Sequence, residues 1–167
     1  ATVLAARFEE GDVPEDDAAR VVADAICGAG AKTSAPFTGR CNLYAGVDGV
    51  ILVDRALIDG LNQVHESITI ATLTPFDHVT AGQLLATVKI IPFAAPRDAI
   101  DACVAMARKA APVALAPIRP RQAGLVMTTL SGTKDSVLDK TAAVVGARLT
   151  QLGSSLSAER RCEHDAA

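Results

Sequence analysis

Aromatic residues are nearly missing from this chain: four Phe, one Tyr and no Trp among 167 residues. That scarcity excludes an aromatic-rich β-sandwich. It also speaks against a single-stranded nucleic-acid platform, which needs rings for bases to stack on. Basic charge is short as well. Sixteen Lys and Arg face nineteen Asp and Glu, a formal net charge of −3, so the positive field required by general nucleic-acid or membrane-surface binding is lacking. No run approaches the roughly 18 apolar residues of a spanning helix. The N-terminus has none of the charged start, apolar core and cleavage site of a signal peptide. These absences predict a soluble, cytoplasmic protein with neither nucleic acid nor membrane as a partner. Cys27, Cys41, Cys103 and Cys162 stand far apart with no C-x-x-C pair, so ordinary reduced thiols are expected, not a zinc site or a disulfide framework. His65, His78 and His164 are equally dispersed, and no protein-bound metal is expected.

What is present is aliphatic. Half of the residues are hydrophobic, so Val, Ile, Leu and Ala must build the interior, which suits helices packed on a largely buried sheet. Residues 2–8 read as a strand. Asp12 is placed as the N-cap of a helix with Pro14 in its first turn, followed by Glu15, Asp16 and Asp17 and by apolar Ala18, Val21, Val22, Ala25 and Ile26, with Gly28 and Gly30 ending it. A short strand is expected at 32–35, and a polar, glycine-containing connection across 36–49. Further strands are expected at 50–53, 67–73, 84–93 and 113–118, with helices from 54 or 55 to 64 and over 96–110. The pair 67–73 and 84–93 is expected to be antiparallel. No internal repeat is visible.

Arg119-Pro120-Arg121-Gln122 is polar and contains proline, which marks a boundary. The predicted organisation is an N-terminal region over 1–118, a linker over 119–123 and a C-terminal unit over 124–167. In that last unit, strand 124–130, loop 131–135, helix 136–153 and strand 155–161 make a βαβ unit with a parallel pair. The fold class is α/β: mixed sheets with flanking helices, then a βαβ unit.

Ligands of parallel sheets bind at the carboxyl ends of strands, beside helix N-termini. The loop after the first C-terminal strand occupies such a place. It offers hydroxyls from Thr128, Thr129, Ser131, Thr133 and Ser136, a flexible Gly132 and a cation in Lys134, groups suited to a phosphate-bearing small molecule. The G-x-x-x-x-G-K-[ST] spacing of a P-loop is absent, and an ordinary turn has the same composition. Asp139 would orient a ligand hydroxyl or satisfy the helix dipole. Arg40 and Asn42 would present a guanidinium and an amide to an anion, or Arg40 would brace a loop against a carboxylate and Asn42 would cap a turn. Lys89, inside an aliphatic strand, would guard a sheet edge against aggregation or meet an anion in a cleft.

The run Gly124-Leu125-Val126-Met127-Thr128-Thr129-Leu130, then Asp139-Lys140-Thr141 and a helix into Gly153, then Ala158-Glu159-Arg160-Arg161-Cys162, resembles the opening of the molybdopterin-binding domain. Four further blocks are similar to the bacterial subset in which an N-terminal extension precedes that domain: residues 11–16, 37–43, 86–93 and 132–141. The resemblance implies a molybdenum-cofactor biosynthesis or handling protein. Its ligand would be molybdopterin or the molybdenum cofactor, held by Thr128, Thr129, Ser131, Gly132, Lys134, Ser136 and Asp139, with Arg40 and Asn42 contributing. A molybdoenzyme or a nucleotidyltransferase domain of the cytidylyltransferase kind is the implied partner. The family's later Gly-Gly-Thr-Gly loop and following Asp do not occur here. The chain is therefore expected to be a fragment, a non-catalytic piece of a transferase or a scaffold module, with no catalytic residues assigned. Val126 and Leu156 would lie on strands lacking neighbours, so cover by the N-terminal region or by another copy, and hence a homo-oligomer, is expected.

Overall fold

The computed structural model describes residues 8–108 and 110–164. In chain order the elements are β1 (Asp12–Pro14), α1 (Glu15–Ile26), β2 (Ala31–Thr33), β3 (Arg40–Ala45), β4 (Gly49–Val53), α2 (Arg55–Asn62), β5 (Ile68–Thr72), β6 (His78–Val79), β7 (Leu84–Ile90), β8 (Ala94–Pro96), α3 (Arg97–Ala107), β9 (Val113–Pro117), β10 (Gln122–Thr129), α4 (Asp135–Gln151) and β11 (Ser155–Glu163). The α/β class is as expected. Two compact units divide between Pro117 and Ile118. The expected strand over 2–8 lies outside the described residues apart from Phe8, which is in no strand, and Lys109 lies outside them too.

The first unit is built on an antiparallel four-stranded sheet, β2-β3-β7-β5, with a second antiparallel sheet β6-β4-β9 and the short pair β1-β8. One face of the four-stranded sheet is dry and the other wet. Cys41, Leu43, Val88, Ile90, Ile68 and Ile70 point inward, where Ala18, Ala19, Val22 and Ile26 of α1 are also fully or almost fully buried. An antiparallel sheet can leave one face to water; the expectation of a sheet buried on both sides does not hold here. The paired β5 and β7 are antiparallel as expected.

Three readings of the sequence are corrected. Asp12 is not an N-cap: it sits in β1, its carboxylate accepts from the Glu9 N–H at 2.9 Å, and Pro14 occupies the N-cap position. The supposed connection over 36–49 contains β3, an inner strand of the main sheet. Its inward residues, Cys41, Leu43 and Ala45, include only one large aliphatic and alternate with Arg40, Asn42 and Tyr44, so the period-two pattern has weak hydrophobic contrast. Lys89 does not guard an edge, because β7 lies between β3 and β5. The polar linker is also shorter than expected, since β10 begins at Gln122.

The structure also repeats a device that the sequence conceals. Val13-Pro14-Glu15 and Ala95-Pro96-Arg97 each run from a three-residue strand through an extended proline into a helix, and the two strands pair with Val13 opposite Ala95. Proline suits that junction because its ring presets φ and the missing N–H has no helical partner to lose. In the second unit β10 and β11 are parallel and joined through α4, which is the expected βαβ unit.

Candidate functional site

Both strands of the parallel pair end together. Thr129 lies opposite Glu163 in the register, and Thr129, Leu130, Ser131, Glu163 and His164 line an open cavity of about 420 Å³. Local bonds shape this end. The Leu130 N–H donates to Thr133 Oγ1 at 3.1 Å and the Thr133 N–H returns to the Leu130 carbonyl at 3.0 Å, closing a turn in which Gly132 has φ +87°. Glycine is the residue that takes this conformation without strain. Thr129 Oγ1 donates to the Cys162 carbonyl at 3.2 Å, and the His164 N–H donates to the Thr129 carbonyl at 2.9 Å.

Next comes α4, with Lys134 at its N-cap position and no side-chain cap. The first N–H groups of such a helix lack intrahelical partners and carry the positive end of its dipole. Ser136 sits in that first turn and is exposed, as is Lys134. The sequence-predicted Thr128, Thr129, Ser131, Gly132, Lys134 and Ser136 are thus gathered on consecutive segments at one end of the βαβ unit. His164 Nδ1 lies 3.2 Å from Thr128 Oγ1. Neither His164 nor Glu163 carries a spacing signal in the sequence, since only the parallel register brings them to the loop.

Asp139 is differently engaged. Arg161 on β11 reaches Asp139 at 2.6 Å, Glu159 at 2.7 Å and Asp135 at 3.7 Å. Hydrogen bonds that Arg161 donates to Asp139 and then to Glu159 hold the guanidinium above its usual pKa. Asp139 therefore clasps α4 to β11. Arg40 and Asn42 belong to the first unit. There, Asn42 Nδ2 donates to the Tyr44 hydroxyl at 3.1 Å and Thr87 Oγ1 donates to Asn42 Oδ1 at 2.9 Å. Among the described residues Asn42 caps no turn, and no carboxylate lies within 4.0 Å of Arg40.

A second polar cavity, of about 330 Å³, lies between α2 and β5, with Arg55, Asp59, Asn62, Thr72 and Thr74 in its wall. Asn62 is tied down there, donating to the Ile70 carbonyl at 3.0 Å and accepting from the Ile70 N–H at 2.7 Å. Among the described residues no three His, Cys, Asp or Glu side chains are grouped to hold a metal ion, and no helix is long and apolar enough to cross a membrane. Set against protein-family models, curated proteins and solved structures, the chain finds no match in any of the three.

Proposed function

We propose that the C-terminal unit binds a phosphate-bearing pterin, as molybdopterin or the molybdenum cofactor, within a cytoplasmic cofactor-biosynthesis or cofactor-handling protein. The observation that carries this is the meeting of unlike groups at one cavity. Glu163 is one of its lining residues, and the chain runs from Ser131 of its wall directly to Lys134 and the uncapped N-terminus of α4, groups suited to a phosphate. A pterin's amino-pyrimidine edge presents N–H donors that a carboxylate accepts, while a bare phosphate ester would be repelled by it. Thr129, Ser131 and His164 supply further polar contacts. The proposal assigns binding to these groups, not catalysis.

The test is titration of the full chain with a pterin carrying a side-chain phosphate, followed by pterin fluorescence, with inorganic phosphate as competitor. Lys134→Ala should weaken binding of both pterin and phosphate. Glu163→Gln should weaken the pterin and leave phosphate unchanged or tighter. Equal affinities in wild type and both variants would overturn the assignment.

A second reading, a non-catalytic scaffold or assembly module, is favoured by one observation. Val126, Leu130, Val137, Val144 and Leu152 of the second unit are all exposed, and a two-stranded parallel sheet is stable only when covered. We infer that a homo-oligomer, or a molybdoenzyme or nucleotidyltransferase partner, provides the cover. Sedimentation over a range of concentrations should show association that Val126→Lys reduces; a monomer throughout would count against self-association.

A further inference from the structure

All four phenylalanines of the chain are on its surface. Phe8, Phe37, Phe76 and Phe93 are 55%, 75%, 76% and 58% exposed. Large aromatics left in water are characteristic of contact surfaces, where they act as anchors. One of them, Phe37, borders the wet face of the four-stranded sheet, and that face has an unusual charge pattern. Arg40 on β3 lies directly opposite Lys89 on β7, and Lys89 is in turn opposite Thr69 on β5. Both cations are exposed, and among the described residues neither has a carboxylate within 4.0 Å. Like charges placed directly across a ladder destabilise it. In a chain of net charge −3, the pairing stands out.

Apolar groups bracket these cations. Phe37 pairs with Arg40 across the hairpin and shares its side of the strand. Ile91 follows Lys89 by two residues, so it emerges on the same face; it is 57% exposed, and its N–H continues the ladder to the Ser67 carbonyl at 2.9 Å. Beyond Ile91 a groove of about 340 Å³ is lined by His65, Glu66, Ser67, Ile91, Pro92 and Pro96. Phe93 is bonded through its carbonyl to the Glu15 N–H, which ties it to the same end of the sheet. The acids nearby are Glu66 at the groove, Glu15 and Asp16. The Asp16 carboxylate is taken up by the Gly39 N–H at 2.8 Å.

We propose that this face docks a segment of a partner protein that carries carboxylates between apolar anchors, with Arg40 and Lys89 taking the carboxylates and Phe37 and Ile91 the anchors. A second copy docked through the same face about a twofold axis would set the cation pair against its own image. Nucleic acid is disfavoured because a chain of net charge −3 supplies no general positive field for a phosphate backbone, and Tyr44 is hydrogen-bonded along the sheet to Asn42. The proposal deepens the assembly-module reading and is independent of the pterin reading.

Its test uses the full chain and three probes: a synthetic peptide alternating Glu with Leu and Phe, the same peptide with Lys for Glu, and a single-stranded oligonucleotide. The acidic peptide should bind, with hydrogen-exchange protection appearing on β3 and β7. The double variant Arg40→Glu/Lys89→Glu should lose about tenfold or more in affinity for it and gain affinity for the lysine peptide. That exchange of preference cannot come from a misfolded variant. Phe37→Ser and Ile91→Ser should each weaken the acidic peptide. Preference for the oligonucleotide, absence of peptide binding, or binding unaffected by charge reversal would each overturn the proposal. Self-association through the second unit would survive those outcomes, which separates failure of this face from failure of the assembly reading.

Discussion

Gly49 has a negative φ, yet it is the position least able to accept a side chain. A Cβ there would stand 2.6 Å from the carbonyl oxygen of Ala116 on the neighbouring β9. Gly49→Ala should cost about 2 kcal/mol, the range of overpacking in a tight site, read as a lowered urea midpoint with an unchanged slope. Thr38 shows the opposite case. With φ +48° beside Gly39 at φ +69°, it occupies a two-residue hairpin turn that demands positive φ at both central positions. A β-branched residue is strained there, so Thr38→Asn should stabilise the protein by roughly 1 kcal/mol. Cys103 carries a pH signature. Its burial pushes the thiol up to about 11, so the unfolded chain releases that proton first. The contribution of Cys103 to stability should be constant below about pH 9 and fall toward about pH 11; Cys103→Ser should lessen the alkaline slope in chemical denaturation, with burial of Cys27 and Cys41, which raises their thiols too, keeping the rest.

Among the elements, α2 shows how local chemistry and tertiary contact divide the labour. Its start at 54 or 55 was legible; Asp54 is its N-cap, accepting from the Leu57 N–H at 3.0 Å, and Asp54→Ala should cost about 1 kcal/mol. What Asn62 does at the other end was not legible. It supplies both the donor and the acceptor that Ile70 on the edge strand β5 would take from another strand. Asn62→Ala leaves two backbone groups bare and should cost about 1–3 kcal/mol by thermal unfolding, more than the cap although Asn is a poor helix former. The strand β3 was missed for a related reason. Cys41, Leu43 and Ala45 are buried, but they alternate with Arg40, Asn42 and Tyr44, and nothing local says that polar residues face water across a sheet.

At the scale of the whole molecule, the two units differ in how they hold their backbones. The first has a continuous aliphatic core running from Val13 to Leu115, whereas in the second only Met127 and Leu138 are buried among the described hydrophobic residues. Amides protected by a packed core open only with global unfolding, and those of thinly covered strands open at lower cost. Hydrogen exchange should therefore protect β3 and β7 far longer than β11. Equal protection of β11 in dilute protein would show that its exposed face is covered.

The βαβ unit, the helix starts at acidic first turns, the paired β5 and β7, and the gathering of Thr129, Ser131, Gly132 and Lys134 at one loop all follow from short-range sequence. Capping, glycine turns and apolar periodicity act within a few residues. The antiparallel wet-faced sheet, the placing of Glu163 and His164 beside that loop, the clasp of Asp139 by Arg161, and the row Phe37, Arg40, Lys89 and Ile91 were decided only by the tertiary structure. Each depends on strand register, which brings together residues tens of positions apart, and register is set by the fit of whole faces and not by any residue's own preference.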